Sequence, residues 1–150
     1  MNTGKDAVGV RPRAQQDAAP SKRTPQPQTE ALRLVLSEIE QAEGYIIPLS
    51  ALPQNGGISA EITGSERKGR NLSLQHGSTD LTVLFLCKDK DQQTAYEKLC
   101  KIGNLLDRMK PVEGETVQVT GAGVRSGTGL VGKEGDFYIY SMIARIGIYF

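Results

Sequence analysis

The chain has 150 residues and a formal net charge of +1, which leaves room for one domain and a tail. Only 38% of the residues are hydrophobic and there is no tryptophan. We expect neither a membrane protein nor a secreted one, because no segment reaches the roughly 20 apolar residues of a membrane-spanning helix and no apolar signal opens the sequence.

The shortage of hydrophobic residues is concentrated in residues 1–28. This segment has four prolines and a Gln15-Gln16 pair, and its five basic and two acidic residues give it a net charge of +3. We predict an arm at 1–28 that is disordered until bound, followed by a globular domain at 29–150. A solvated linker is the simplest interpretation of the arm, and a contact with DNA or an acidic protein surface is the alternative. The remaining residues carry a net charge of −2, which argues against a domain whose main task is to grip nucleic acid.

The domain opens with a predicted helix. Thr29 is a plausible N-cap, and Gly44 supplies a stop, so we expect a helix from Glu30 to Ala42. Apolar residues at helical spacing predict its buried face, namely Leu32, Val35, Leu36 and Ile39. Residues 45–53 are apolar but interrupted by two prolines, which indicates an ordered loop across the surface.

A strand from Ile58 to Thr63 is predicted next, after the Gly56-Gly57 pair. The polar stretch Gly64 to Arg70 reads as an exposed turn, and a weak second strand is possible from Asn71 to Gln75. Three basic side chains of the turn are expected in solvent, namely Arg67, Lys68 and Arg70.

The clearest interior strand runs from Asp80 to Lys88. One of its sides is entirely apolar and consists of Leu81, Val83, Phe85 and Cys87. Leu84 and Leu86 lie on the other side, so we expect the strand to be buried on both faces.

A second helix follows this strand. Asp89 is its predicted cap, because Gln92 three residues later completes a capping-box pattern. Pro111 ends the helix. A single apolar stripe alternates in steps of four and three along it, formed by Ala95, Leu99, Ile102, Leu106 and Met109.

The last third of the chain is predicted to contain two strands separated by a loop. The first strand covers Glu115 to Thr120, a glycine-rich loop runs from Gly121 to Gly135, and a strand from Phe137 to Phe150 closes the chain. The order helix, strands, helix, strands predicts an α+β fold, with a mixed or antiparallel sheet and two main helices packed on one face.

The closing strand is unusually long. Fourteen extended residues would span roughly 45 Å, which is more than one small domain usually needs. We therefore expect part of it to pair with, or pack against, another subunit. The residues of one face that we predict at a subunit interface are Tyr138, Tyr140, Met142, Ile146, Ile148 and Phe150.

One signature in the glycine-rich loop resembles a phosphate-binding motif. Gly127, Gly132 and Lys133 match G-x-x-x-x-G-K, and Gly129 adds a G-x-G-x-x-G match. Such motifs need a following helix N-terminus, whereas here Glu134 replaces the hydroxyl residue and an extended strand follows Asp136. A small phosphate-binding enzyme that uses Lys133 is therefore the less favoured alternative to a plain connecting loop.

Other candidate chemistry is sparse. His76 has no serine or cysteine partner at a motif spacing, and Cys87, Cys100 and one histidine are too few ligands for a metal site. We interpret the two cysteines as reduced thiols of a cytoplasmic product. The carboxylate pairs at 89/91, 113/115 and 134/136 fit helix caps and turns better than acid–base catalysis. We expect no enzyme, no cofactor and no metal.

The order of several local features resembles the minor capsid proteins of tailed bacteriophages that occupy the tail-terminator position. The similarity covers about residues 30 to 150. It rests on the first helix, Ile47-Pro48-Leu49 with Leu52-Pro53, Gly56-Gly57-Ile58 to Glu61, Asp91-Gln92 with Ala95 and Leu99, and the tyrosine-rich closing strand. The proline- and glutamine-rich arm departs from the family.

The resemblance implies a structural virion protein that is assembled in the host cytoplasm. Its homohexameric ring would sit on the tail tube, stop tube polymerisation and join the tail to the neck and head-completion proteins. Double-stranded DNA would pass through the lumen without sequence-specific binding. A head-closure or stopper protein and a tail tube protein are the alternatives within the virion. We expect exposed loops to carry Arg67, Lys68, Arg70, Arg125 and Lys133, some of them facing the lumen.

Overall fold

The computed structural model of the chain describes residues 26–49, 51–70 and 77–150, without the side chains of 67–70. Within these ranges it has two helices and five strands, and the predicted α+β class is confirmed. The elements are α1 (Pro27–Glu43), β1 (Gly57–Arg70), β2 (Gly77–Asp89), α2 (Gln92–Asp107), β3 (Val112–Glu113), β4 (Gln118–Glu134) and β5 (Phe137–Tyr149). The predicted arm lies almost entirely outside the described residues.

The strands form one antiparallel sheet in the order β1-β2-β5-β4-β3. The closing strand β5 therefore lies in the centre, between β2 and β4. Its pairing with β2 runs from Ser78 opposite Tyr149 to Asp89 opposite Tyr138. The long strand that we expected at a subunit boundary is thus used within one chain, where both of its edges are hydrogen-bonded.

The hydrophobic core lies between the two helices and one face of the sheet. On β2, the four predicted residues Leu81, Val83, Phe85 and Cys87 are fully buried. The helix stripe is confirmed for four of its five residues, since no surface is exposed at Ala95, Leu99, Ile102 and Leu106. The fifth, Met109, is half-buried and follows the end of α2, which stops at Asp107, before the predicted end at Pro111. Leu84 and Leu86, on the other face, are only half-buried, so the expected burial of β2 on both faces is correct only in part.

Helix α1 is longer than predicted at its start. It begins at Pro27, whose fixed φ suits the first helical turn, and Gln26 is the N-cap in place of Thr29. The predicted stop is confirmed: Gly44 adopts the left-handed conformation at φ 79°, and its N–H donates to the carbonyl of Glu40 at 2.8 Å. Glycine is favoured there because other residues resist a positive φ.

Glu30, in the first turn of α1, ties this helix to the turn before β4. Its carboxylate accepts hydrogen bonds from the backbone N–H groups of Glu115 and Thr116, the latter at 3.0 Å, and from the Thr116 hydroxyl. The Thr116 hydroxyl bond is the largest cause that lowers the pKa of Glu30, and the two backbone bonds act in the same direction against desolvation. No local sequence pattern indicates this link, since the partners are 85 and 86 residues away.

Helix α2 starts later than predicted, with Asp91 as its N-cap instead of Asp89. The carboxylate of Asp89 instead accepts the backbone N–H of Asp91 at 2.8 Å, just before the helix. Gly103 faces the sheet, where an added Cβ would lie 2.8 Å from Cγ2 of Val124 and 3.1 Å from Sδ of Met142. The missing side chain lets the helix lie close to β4 and β5.

Two predicted connecting segments are strands instead. Residues 64–70, expected as a polar turn, continue β1 and pair with β2 as far as Arg70 opposite Gly77. The expected loop from Gly121 to Gly135 is almost entirely β4. The strand expected from Glu115 to Thr120 begins only at Gln118, after the short strand β3. The weak strand predicted at 71–75 and the candidate His76 lie outside the described residues.

Candidate functional site

The hairpin of β4 and β5 is the most prominent feature built by the last third of the chain. The two strands pair from Gln118 opposite Tyr149 to Glu134 opposite Phe137, and Gly135 makes the turn at φ 61°. The register shifts at four places along β4. Bulges of this kind increase the local twist and change the side to which residues point.

The glycine-rich motif lies along β4 and is not followed by a helix. Gly127, Gly129, Gly132 and Lys133 belong to this strand, and β5 begins immediately after the turn. The Lys133 amine lies 5.1 Å from the ring centre of Tyr138, its neighbour across the hairpin. The backbone cradle and helix dipole that a phosphate-binding loop provides are therefore not formed by these residues.

The predicted subunit-interface residues of β5 lie mostly inside the chain's own core. Tyr140, Met142, Ile146 and Ile148 are buried. Tyr138 and Phe150 are half-buried and pack against the same core. Within the single chain these four side chains are buried in the core, and the contact of this face with another subunit stays a prediction.

The predicted basic residues do not form one loop surface. Arg125 and Lys133 are both exposed, as expected, but they belong to β4. The guanidinium Nη1 of Arg125 donates to the hydroxyl of Thr82 at 3.2 Å, on the face without helices, whereas Lys133 stacks on Tyr138. Arg67, Lys68 and Arg70 belong to β1 instead of a loop, and their side chains lie outside the described part of the structure.

A buried lysine fixes the turn end of the hairpin. Lys88, only 6% exposed, donates to Glu134 Oε1 at 2.9 Å, and its amine lies 5.1 Å from the ring centre of Phe137. A buried ammonium needs such partners, because it would otherwise lose its hydration without compensation. The sequence did not reveal this pair, since the two residues are 46 positions apart.

The outer edges of the sheet are formed by two long strands on opposite sides. On the outer side of β1, the described residues contribute no further strand. On the outer side of β4, the two-residue strand β3 pairs only with Gln118 and Val119. The N–H of Val124 donates to the Asp107 carboxylate of α2 at 3.0 Å, which satisfies one further edge group. Edges of this kind are templates for pairing with another chain.

Two consecutive apolar side chains of β4 are exposed. Leu130 is 55% exposed and Val131 is 60% exposed. Both lie past the Asp107 contact, where β4 has no outer neighbour among the described strands. Single exposed apolar residues are ordinary, but here two adjoin a free sheet edge.

Two of the candidate catalytic carboxylates, Asp89 and Asp91, contact neighbouring side chains of α2. Asp89 lies 3.5 Å from the amine of Lys98, and Asp91 accepts a hydrogen bond from the Thr94 hydroxyl, both at the start of α2.

Cys87 and Cys100 are free thiols. Burial raises the pKa of the Cys87 thiol to about 11, which keeps it protonated and unreactive near neutral pH.

No group of three potential metal ligands lies together among the described residues. Neither helix of the described ranges is long and apolar enough to cross a membrane.

No protein-family model matches the chain, and no curated protein matches it significantly.

Proposed function

We propose that this chain is a structural protein of a tailed-bacteriophage virion, which forms a ring, most simply a hexamer, that terminates the tail tube and joins the tail to the head. The ring contacts the tail tube protein on one side and neck or head-completion proteins on the other. The chain acts by assembly, without a cofactor.

The observation that carries this proposal is the pair of long outer strands on opposite sides of one sheet. β1 has 14 residues and β4 has 17, and each has an outer side with little or no partner among the described strands. A contact between two different edges is heterologous, so repeated copies either close into a ring or grow into a filament. A ring is the form that stops growth.

The order of elements also supports the proposal. The resemblance to tail-terminator proteins rests in part on the first helix, the two strands that follow it, the start of the second helix and the closing strand, and each of these is a regular element of the fold. Because the closing strand β5 lies in the centre of the sheet, the proposed contact between subunits is made by the outer strands β1 and β4 in place of β5.

The face of the sheet without helices suits a lumen through which DNA passes. It carries Arg125, and Arg145 beside Asp80 at 3.5 Å, together with small polar groups such as Thr82. These two arginines are engaged with neighbouring side chains of the same face. A weak, sequence-independent contact with phosphate is therefore expected in place of tight binding.

Two other virion roles, a head-closure or stopper protein and a tail tube protein, make different predictions about position. Antibody labelling of virions should place this chain at a single level, at the head-proximal end of the tail tube. Labelling along the whole tube would identify a tube protein, and labelling only inside the head or portal would identify a stopper. An antibody against the major tube protein serves as the control for access to the tube.

A further inference from the structure

Among the described residues, the outer edge of β4 has no partner strand over most of its length. β3 covers it only at Gln118 and Val119, and Asp107 takes the N–H of Val124. From residue 125 to residue 134, no described residue supplies a backbone hydrogen bond on this side. A row of solvated N–H and C=O groups can form hydrogen bonds with another strand. The added strand then leaves none of these groups buried without a hydrogen-bond partner.

The same stretch is shaped for close approach of a second chain. Leu130 and Val131 are more than half exposed and adjacent. An added Cβ at Gly127, Gly129 or Gly132 would meet nothing within 4 Å. Glycine in a strand often marks a place where another backbone approaches, and the two apolar side chains provide surface to bury once a strand has added.

The strand directions favour a second copy of the chain as the occupant of this edge. Neighbours in the order β1-β2-β5-β4 are all antiparallel, so β1 and β4 run in opposite directions. When two copies stand side by side in the same orientation, β4 of one copy meets β1 of the next in antiparallel fashion. Pairing of β4 with β4 would instead stop at two copies and leave both β1 edges unused.

We propose that residues 125–134 of β4 in one copy pair with the outer side of β1 in the next copy, so that the sheet continues across the subunit boundary. This inference rests on the proposed ring function and names the surface that builds the ring. It assigns Leu130 and Val131 to the interface, in place of the β5 residues.

A charge-introducing variant tests the assigned edge. The double substitution Leu130→Lys and Val131→Lys should weaken self-association at least tenfold, measured by sedimentation velocity up to about 1 mM chain. The melting temperature of the subunit should stay within a few degrees, because both side chains are already exposed. Ile46→Lys is the matched control: Ile46 is 76% exposed but lies in the loop after α1, so self-association should be unchanged. Self-association of the double variant equal to that of wild type, or a wild-type chain that stays monomeric at that concentration, would overturn the inference.

Cross-linking then distinguishes the two possible edge contacts. In a Cys100→Ser background, Ser65→Cys on β1 and Val131→Cys on β4 should together give a ladder of covalent oligomers with a short bis-maleimide, while each cysteine alone should give none. A dimer from Val131→Cys alone would show β4–β4 pairing and contradict the proposal. Rings that form without any such ladder would contradict the edge assignment and leave the ring function intact. If antibody labelling of virions gave no signal at the head-proximal end of the tail tube, that result would contradict the proposed function itself.

Discussion

Leu99→Ala is expected to lower the free energy of unfolding by about 2–5 kcal/mol. Leu99 has no exposed surface, and it lies in the stripe by which α2 packs against the sheet. Truncation to alanine removes buried methyl groups and leaves a cavity that the neighbouring helix and strands can fill only in part. Urea unfolding followed by circular dichroism measures the change, provided that the slope with denaturant is the same for both proteins.

Lys101→Ala is the control for this measurement. Lys101 is exposed on the same helix, so its replacement should change the unfolding free energy by less than about 0.5 kcal/mol. A Leu99→Ala protein as stable as this control would show that the apolar stripe of α2 is not packed in the core.

Glu30→Gln has the second largest expected effect, a loss of about 1–3 kcal/mol at neutral pH. The carboxylate joins the first turn of α1 to Glu115 and Thr116 through three hydrogen bonds. An amide keeps one acceptor oxygen but turns its NH₂ group towards donors, and it lacks the negative charge that strengthens these bonds. Chemical unfolding at pH 7 measures this loss.

The difference between wild type and Glu30→Gln should also depend on pH. The hydrogen bonds hold the pKa of Glu30 below its ordinary value of 4.5, so the folded state favours the charged form. The resulting stabilisation is fully present well above that value and is lost as the pH falls through the lowered pKa of the folded state. The difference in stability between the two proteins should therefore begin to narrow as the pH falls below about 4.5 and should vanish once the pH is below the lowered pKa of the folded state. Glu40→Gln, exposed on the same helix, is the control, and a gap for Glu30→Gln that stays constant from pH 7 to pH 3 would contradict the linkage.

The elements that the sequence predicted best are those with a regular apolar period. The stripe of α2 and the alternation on β2 were visible because each residue on the buried side of a helix or strand is apolar. The glycine-rich segment was misread because many glycines are typical of loops. Its pattern contained a usable sign, since Gly121 and Gly123, and again Gly127 and Gly129, recur at the period of two that belongs to a strand.

The position of β5 in the sheet could not be predicted from local sequence patterns. Its length and apolar character were predicted correctly, but its neighbours depend on pairing between distant segments, such as Leu81 with Ile146. For the same reason, the Glu30 and Lys88 contacts, each made with a partner far along the chain, had no local signal. The strand that looked most available to another subunit was therefore the one most fully used by its own.

Assembly into a closed ring can be tested most directly by native mass measurement of the purified chain at high concentration, or of the chain recovered from tail ends. A hexamer of the 16.2 kDa chain would give one dominant species at six times that mass, about 97 kDa, without a continuing series of larger forms. A species at 16.2 kDa under either condition, or an open series without a preferred size, would contradict a ring built from the two sheet edges.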